Sequence, residues 1–281
     1  MTETQPNAAA AGTIDVGGDL RVTRLGFGAM RVTGSGIWGR PPKHDEAIAV
    51  LRRAVELGIT FIDTADSYGP DISEELIAEA LHPYPSDLVI ATKGGLVRPG
   101  PNAWQPDGRP EHLVAACEGS LRRLKLDQIP VYQFHRPDPK VPLEESIGAL
   151  VRLKEEGKIR HIGLSNVSER QLRAAQALTP IVSIQNRYNA TDRGSESLVD
   201  LCEREGLAFL PWAPIQNLDS RAAKISQKYG VTPRQIVLAW LLARSPAMLP
   251  IPGTGSIAHL EENVAAAAIT LTPEELSILS G

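Results

Sequence analysis

Eight short apolar runs, each followed by a stretch of helical periodicity, constrain this chain of 281 residues more than any other feature. The runs are LGFGAM, TFIDTAD, DLVIATK, IPVYQFH, IRHIGLS, IVSIQN, LAFLPWAP and MLPIPG. Several are apolar without alternation, which suits parallel strands covered outside by helices and not a half-exposed antiparallel sheet. The intervening stretches each carry one apolar stripe: Ala47, Ile48, Leu51, Ala54 and Val55; Leu113, Cys117, Leu121 and Leu124; Ile236, Val237, Trp240 and Leu241. Such alternation implies right-handed parallel crossovers, and a barrel is the closed solution for eight units. The expected fold is a (β/α)8 TIM barrel, which typically takes about 250 residues. An open doubly wound sheet is the alternative on pattern alone.

Local signals mark several boundaries. Ser168 with Gln171, Thr232 with Gln235 and Thr272 with Glu275 fit capping boxes, and Pro233 and Pro273 sit at the first helical position. Two alternating runs flank Gly17-Gly18, a dipeptide that tolerates positive φ, so a hairpin with a two-residue turn is expected to close the bottom of the barrel. Residues 1–12 read as a disordered tail and 13–281 as one barrel domain, because no Pro/Gly/Ser-rich linker separates two compositions. The longest irregular segment, GGLVRPGPNAWQPDGRP at 94–110, follows a strand end, and long loops in compact domains are usually functional.

Composition narrows the function classes. Lys and Arg total 29 against 33 Asp and Glu, a formal charge of −4, which provides no footprint for nucleic acid or anionic membranes. No apolar run approaches the roughly 18 residues of a membrane span, and the N-terminus lacks the basic start of a signal peptide. Cys117 and Cys202 lie in apolar-periodic stretches and read as reduced core residues of a cytoplasmic protein. His44, His82, His112 and His161 have no metal-ligand spacing and read as structural; no metal site is expected.

A titratable residue falls at or just beyond the C-terminal end of three consecutive runs. These are Asp63 and Tyr68 after TFID, Lys93 after LVIAT, and His135 after VYQF. Neighbouring parallel strands lie about 4.8 Å apart, so these ends converge on one mouth of the barrel, where barrel active sites are built. The segments FIDTADSYG, ATKGG and VYQFHRPD resemble, in order and spacing, the catalytic tetrad segments of the aldo-keto reductases. GLSN, IQNRYN and IPGTGSIAHLEENVAA extend the resemblance from about Thr13 to the C-terminus. It implies a nicotinamide-dependent reductase of aldehydes or ketones, with Asp63, Tyr68, Lys93 and His135 as the catalytic residues.

That chemistry is coherent from first principles. Hydride addition to a carbonyl needs a proton donor for the nascent alkoxide, and an unperturbed phenol has a pKa of about 10. A nearby ammonium is expected to lower it, a carboxylate to keep the ammonium charged, and a histidine to hydrogen-bond the carbonyl oxygen.

The resemblance further places Ser165, Asn166 and Gln185 on the nicotinamide carboxamide and Trp212 against its ring face, with Ala213 and Ile215 toward the pyrophosphate. Gly253, Thr254, Gly255 and Ser256 precede a helix whose N–H groups favour phosphate. Glu262 and Asn263 correspond to residues that meet the adenine. Relatives that select the 2′-phosphorylated cofactor commonly offer Lys or Arg at positions matching Gly253, Ser256 or His259, and none of these is strongly basic here. NADP(H) is therefore expected, with use of NAD(H) left open.

For the substrate, a small carbonyl compound, Trp38 in the first loop and Trp104 in the 94–110 loop are expected as aromatic walls. GAMRVTGSGIWGRPP and YGPDISEELIAEALHPY resemble pyridoxal reductase-like bacterial members, which implies pyridoxal or other aromatic aldehydes. A monomer is compatible with all of this. Two other readings stay open at this point: a non-catalytic nucleotide-binding subunit, and a different barrel enzyme that binds a phosphorylated substrate at the final Gly-rich turn.

Overall fold

The runs read as strands assemble into a parallel barrel in the computed structural model, which describes residues 5–281. In chain order the strands are β1 (Thr13–Val16), β2 (Leu20–Thr23), β3 (Phe27–Gly28), β4 (Phe61–Asp63), β5 (Val89–Gly94), β6 (Leu96–Gly100), β7 (Ala103–Pro106), β8 (Ile129–Phe134), β9 (Ile159–Ser165), β10 (Ile181–Gln185) and β11 (Ala208–Phe209). The helices are α1 (His44–Glu56), α2 (Ile72–Leu81), α3 (Pro110–Leu124), α4 (Leu143–Glu155), α5 (Glu169–Gln176), α6 (Glu196–Glu205), α7 (Ser220–Tyr229), α8 (Pro233–Arg244), α9 (Ile257–Ala265) and α10 (Pro273–Ser280). β3, β4, β5, β8, β9, β10 and β11 pair in that order in one sheet, and every pairing is parallel.

The eighth run, MLPIPG, closes the circle without becoming a regular strand. Phe209 N donates to Ala247 O (2.8 Å) and Leu249 N to Phe209 O (2.9 Å), while on the other side Gly26 N donates to Pro250 O (2.9 Å) and Gly28 N to Pro252 O (3.5 Å). Pro250 and Pro252 have no N–H, so this segment can only accept bonds from β3 and the ladder stays incomplete. At the same seam a Cβ on Gly253 would stand 2.5 Å from Gly28 O, so the chains approach as only glycine permits.

Period two decides what fills the barrel. Phe61, Val89, Ala91, Val131, Val182, Ala208, Leu210, Leu249 and Ile251 share one buried cluster with Val16 and Val22 of the β1–β2 hairpin, which therefore plugs the N-terminal end. Two residues further along the same inward rows stand Asp63, Lys93 and Gln133, so the lining changes from apolar to polar at the C-terminal mouth. The outward residues pack under the helices in two other clusters, one holding Cys117 and Cys202, whose thiols burial pushes up to about 12. The three expected capping boxes are present at α5, α8 and α10, each with both reciprocal bonds.

Three local expectations are corrected. Val16 pairs with Leu20, so the hairpin loop has three residues, Gly17 to Asp19, not two. Asp19 is held by Arg160 and His161 of β9, which places His161 at the end remote from the mouth. The tail expected over 1–12 lies in part outside the described residues, at 1–4, but Ala8–Ala11 form a 3-10 turn capped by Asn7. Ala8 there is buried, and its N–H donates to Leu57 O at 2.8 Å. The 94–110 segment is not irregular: β6 and β7 pair antiparallel as a hairpin that stands over the mouth.

No helix among the described residues is long and apolar enough to cross a membrane.

Candidate active site

The inward rows of β4 and β5 bring Asp63 and Lys93 together below the mouth, where both side chains are shielded from solvent. Lys93 Nζ lies 2.7 Å from Asp63 Oδ2, 2.8 Å from Thr64 O and 3.4 Å from the Tyr68 hydroxyl. An ammonium has three donors, and these three acceptors use them all. The second carboxylate oxygen, Oδ1 of Asp63, accepts from Gln133 Nε2 (2.9 Å) and Gln185 Nε2 (2.8 Å), and Gln185 also donates to Gln133 Oε1 (3.1 Å). The charge pair is therefore fully hydrogen-bonded, the condition under which a buried pair is tolerated.

Gln133 was not singled out from the sequence, although the signal was there. It follows Val131 by two on an inward row and pairs in register with Lys93. Gln185, expected on a cofactor carboxamide, spends its own amide N–H groups on Asp63 and Gln133.

Tyr68 and His135 form the aromatic part of the floor. Their rings meet edge-on with centroids 5.8 Å apart, and Trp104 of β7 stands edge-on to Tyr68 at 6.1 Å and 6.4 Å from His135. Ser67 Oγ lies 3.4 Å from His135 Nδ1.

The electrostatics depart from one expectation. Burial works against the charge of Lys93, but Asp63 and Tyr68 outweigh it and hold the ammonium above its ordinary range. For Tyr68 burial comes first and raises the phenol; Lys93 pulls it down, Asp63 pushes it up, and the net direction is upward. The lowered phenol expected from the ammonium alone is thus corrected: desolvation of a phenolate in this pocket outweighs one cation already paired to a carboxylate. His135 is driven well below the usual imidazole range, first by burial and then by Lys93 and Arg136, so it is neutral at neutral pH.

A cavity of about 490 Å³ opens above this floor. Asp63, Tyr68, His135, Ser165, Asn166 and Gln185 line its base, and Trp104, Trp212, Ala213, Ile215 and Gly253 its walls. Asn166, in the left-handed region at φ +57°, bonds Ser165 Oγ (2.9 Å) and His135 O (3.1 Å) and accepts from Trp212 Nε1 (3.1 Å). The His135 backbone and the indole are thereby fixed to each other.

Other expected site residues lie beyond the cavity lining. Thr254, Gly255, Ser256 and His259 form the turn and first turn of α9, where Ser256 accepts from His259 N; Glu262 and Asn263 follow on the helix, with Glu262 accepting from Thr232 Oγ1 at 2.6 Å. Trp38, expected as a wall, does not line the cavity. Its backbone bridges Gly69, its ring is 37% exposed, and its neighbour Ile37 takes the wall position.

A barrel carrying this buried carboxylate, ammonium and phenol at its C-terminal mouth matches a known class. A sequence model described as the Aldo/keto reductase family covers residues 24–281. The chain belongs to that family and is an oxidoreductase of its (β/α)8 kind.

Among its relatives, an uncharacterized oxidoreductase of Schizosaccharomyces pombe is 49% identical over 277 residues, covering 95% of this chain and 89% of that protein. Pyridoxine 4-dehydrogenase of Escherichia coli is 40% identical over 275 residues, covering 94% and 96%. Among solved structures, an aldo/keto reductase from Klebsiella pneumoniae in complex with NADP and acetate superposes with a TM-score of 0.81 at 30% identity, covering 95% of this chain and 93% of that one.

The residues present fit a nicotinamide group. A carboxamide offers one donor pair and one acceptor; the Ser165 hydroxyl keeps a hydrogen to donate, and Asn166 Oδ1 keeps a lone pair to accept, on the cavity base. The Trp212 indole offers a flat apolar face on the same cavity, which Gly28 and Gly253 also line.

Proposed function

We propose that this chain reduces aldehydes with NADP(H), taking pyridoxal and other aromatic aldehydes in preference, and that Tyr68 supplies the proton. The observation that carries the reading is the Tyr68 hydroxyl 3.4 Å from the Lys93 ammonium, itself 2.7 Å from Asp63, on the floor of a cavity that His135 also lines. When bound, the cofactor supplies hydride to the carbonyl carbon. Every other element of the reaction belongs to the chain. Ser165, Asn166 and the Trp212 face hold the nicotinamide over the floor. His135, neutral, donates a hydrogen bond that positions the carbonyl oxygen and polarises it as charge develops. Tyr68, which keeps its proton through neutral pH, transfers it to that oxygen, and Lys93 stabilises the phenolate left behind.

Support for aromatic aldehydes comes from the relative named pyridoxine 4-dehydrogenase and from the apolar and aromatic walls Ile37, Leu96 and Trp104. The Klebsiella protein crystallised with NADP supports the phosphorylated cofactor. The neutral turn at Gly253, Ser256 and His259 supports acceptance of NAD(H) as well.

The test follows NADPH oxidation with pyridoxal and with 4-nitrobenzaldehyde for the parent and for Tyr68→Phe. Loss of a general acid typically costs about 10²–10⁴-fold in rate, while quenching of NADPH fluorescence on binding stays as in the parent. An unchanged rate in the variant, or a parent that binds NADPH and reduces neither aldehyde, refutes the proposal.

A further inference from the structure

We propose that Arg98 is a positioning residue that sets which aldehydes fit, by clamping the Ile37 loop and Trp104 over the catalytic floor. This rests on the reductase reading above and adds to it a determinant of substrate shape outside the tetrad.

The guanidinium of Arg98 on β6 has five N–H groups, and all five point at main-chain carbonyls. Nε donates to Ala103 O (2.7 Å), Nη1 to Ile37 O (2.8 Å) and Ser67 O (3.0 Å), and Nη2 to Gly36 O (3.0 Å) and, more weakly, Gly100 O (3.4 Å). The partners belong to three separate segments: the first loop, the turn that carries Tyr68, and the β6–β7 hairpin. The plane of the group stacks on Trp104 at 3.7 Å from the ring centroid, with Trp38 at 5.7 Å on another side. No carboxylate is among its hydrogen-bond partners, so carbonyl dipoles and indole faces alone offset its charge, and burial draws its pKa down. The guanidinium's value lies in fixing three segments at one point with a rigid fork.

What it fixes is the upper wall. Ile37 lines the cavity with φ at +55°, in the left-handed region that a β-branched side chain avoids, next to Gly36 at φ +69°. Such a backbone persists only when its surroundings hold it. Here the turn holds itself through Ile37 N to Gly34 O and Gly34 N to Gly39 O, Gly39 N ties it to Gly69 O and Asn102 N to Gly36 O, and Arg98 is the one side chain bonded to both the Gly36 and Ile37 carbonyls. Trp104, on the partner strand of the hairpin, is 36% exposed, yet its edge meets both Tyr68 and His135. The stacked guanidinium is what keeps an otherwise wet indole turned inward. Releasing it loosens both apolar walls together, while the bonds among Asp63, Lys93, Gln133 and the Tyr68 hydroxyl, none of which involves Arg98, remain to hold the floor.

An aromatic aldehyde needs these walls as a slot for its ring, whereas a short aliphatic aldehyde reaches the floor without touching them. The test uses Arg98→Lys, which keeps the charge but loses the fork, and Arg98→Met, which keeps the stem. kcat and KM are measured with 4-nitrobenzaldehyde and with propanal, NADPH binding by fluorescence, and amide exchange over residues 34–39 and 96–106.

Both variants are expected to lose the aromatic preference, with the ratio of kcat/KM for 4-nitrobenzaldehyde over propanal falling at least tenfold through KM. NADPH affinity should stay within twofold, and exchange in both segments should rise at least tenfold. Equal loss on both aldehydes, or a full preference in Arg98→Lys, overturns the assignment. So does unchanged exchange in Arg98→Met, whatever the activity. A parent that reduces neither aldehyde instead overturns the reductase reading, and the clamp is then judged by exchange alone.

Discussion

Replacing Asp63 by asparagine tests whether the site depends on charge or only on shape, because the two side chains are nearly isosteric. In the parent Oδ2 faces the Lys93 ammonium and Oδ1 faces the amide N–H groups of Gln133 and Gln185, so both oxygens accept. An asparagine must place its NH2 on one side. Toward Lys93 it meets an ammonium, and toward the glutamines it meets two amide donors. The donors avoid a clash either if a neutral lysine amine accepts from the new NH2 or if both glutamine amides turn over and accept it through Oε1. In either arrangement Lys93 loses the Asp63 charge that holds its pKa up in the face of burial, so Asp63→Asn should lower that pKa.

The magnitude follows from the geometry. Charges 2.7 Å apart attract by about 6 kcal/mol at an effective dielectric of about 20. Removing one partner of a buried pair typically costs about 3–5 kcal/mol. At about 2–4 °C per kcal/mol for a chain of this size, the melting temperature should fall by roughly 6–20 °C. Differential scanning fluorimetry reads the shift, and the decisive comparison adds Lys93→Met. If the loss comes from a buried lysine left without its carboxylate, the double variant should melt above Asp63→Asn, a coupling that additive effects cannot produce. Melting of Asp63→Asn within a degree or two of the parent, or strictly additive losses, refutes the account.

Two further outcomes concern stability. Gly253→Ala puts a methyl 2.5 Å from Gly28 O, a backbone atom at the barrel seam, and should lose about 1–3 kcal/mol in a urea melt. Gly148→Ala on α4 meets open space and should gain up to about 1 kcal/mol, and a loss there would count against the packing described. Asp66 is buried with Oδ1 unpartnered, and burial, then Glu74, pushes its carboxyl well above the usual range. The folded chain thus holds a proton that the unfolded chain releases near pH 4, so this group's contribution falls as pH rises from there, by up to about 1.4 kcal/mol per unit. The stability gained by Asp66→Asn over the parent should grow from pH 5 to pH 8 in urea melts, and a constant difference would contradict the assignment.

Most of the fold was legible because it rests on periodicity and caps, both local. The eight runs mark the eight barrel positions, and the boxes at Ser168, Thr232 and Thr272 mark helix starts to the residue. The eighth run was read correctly as a wall of the barrel, while its two prolines, visible in the sequence, already forbid a full ladder. Less legible was whatever depends on distant partners. Four alanines at 8–11 say nothing of a pocket beside Leu57 that takes Ala8. The hairpin β6–β7 contains Pro99, Pro101 and Asn102, residues that usually signal a loop, and it is held largely by Arg98. Trp38 rather than Ile37 was expected on the cavity because size is a better guide than chance, but a left-handed turn at 36–37 reverses which side chain faces in. That Asp63, Tyr68, Lys93 and His135 meet at one mouth could be read, whereas the direction of the Tyr68 shift could not, since desolvation is a property of the assembled pocket.

A single buried ammonium thus acts on two neighbours in opposite senses. On Tyr68 it opposes burial and limits how far the phenol rises; on His135 it adds to burial and keeps the ring uncharged. With Asp63 cancelling most of its field at long range, only groups within a few ångströms feel Lys93 strongly, and those are the two that meet a carbonyl oxygen on the proposed reading. The phenol is then the loaded proton donor throughout the neutral range, and the imidazole a hydrogen-bond donor with no charge to compete for that oxygen. The same arrangement makes reduction and oxidation unequal. On the proposed reading reduction starts from the phenol that burial favours and oxidation of an alcohol from the phenolate that burial disfavours, so the oxidation rate should rise with pH where the reduction rate falls.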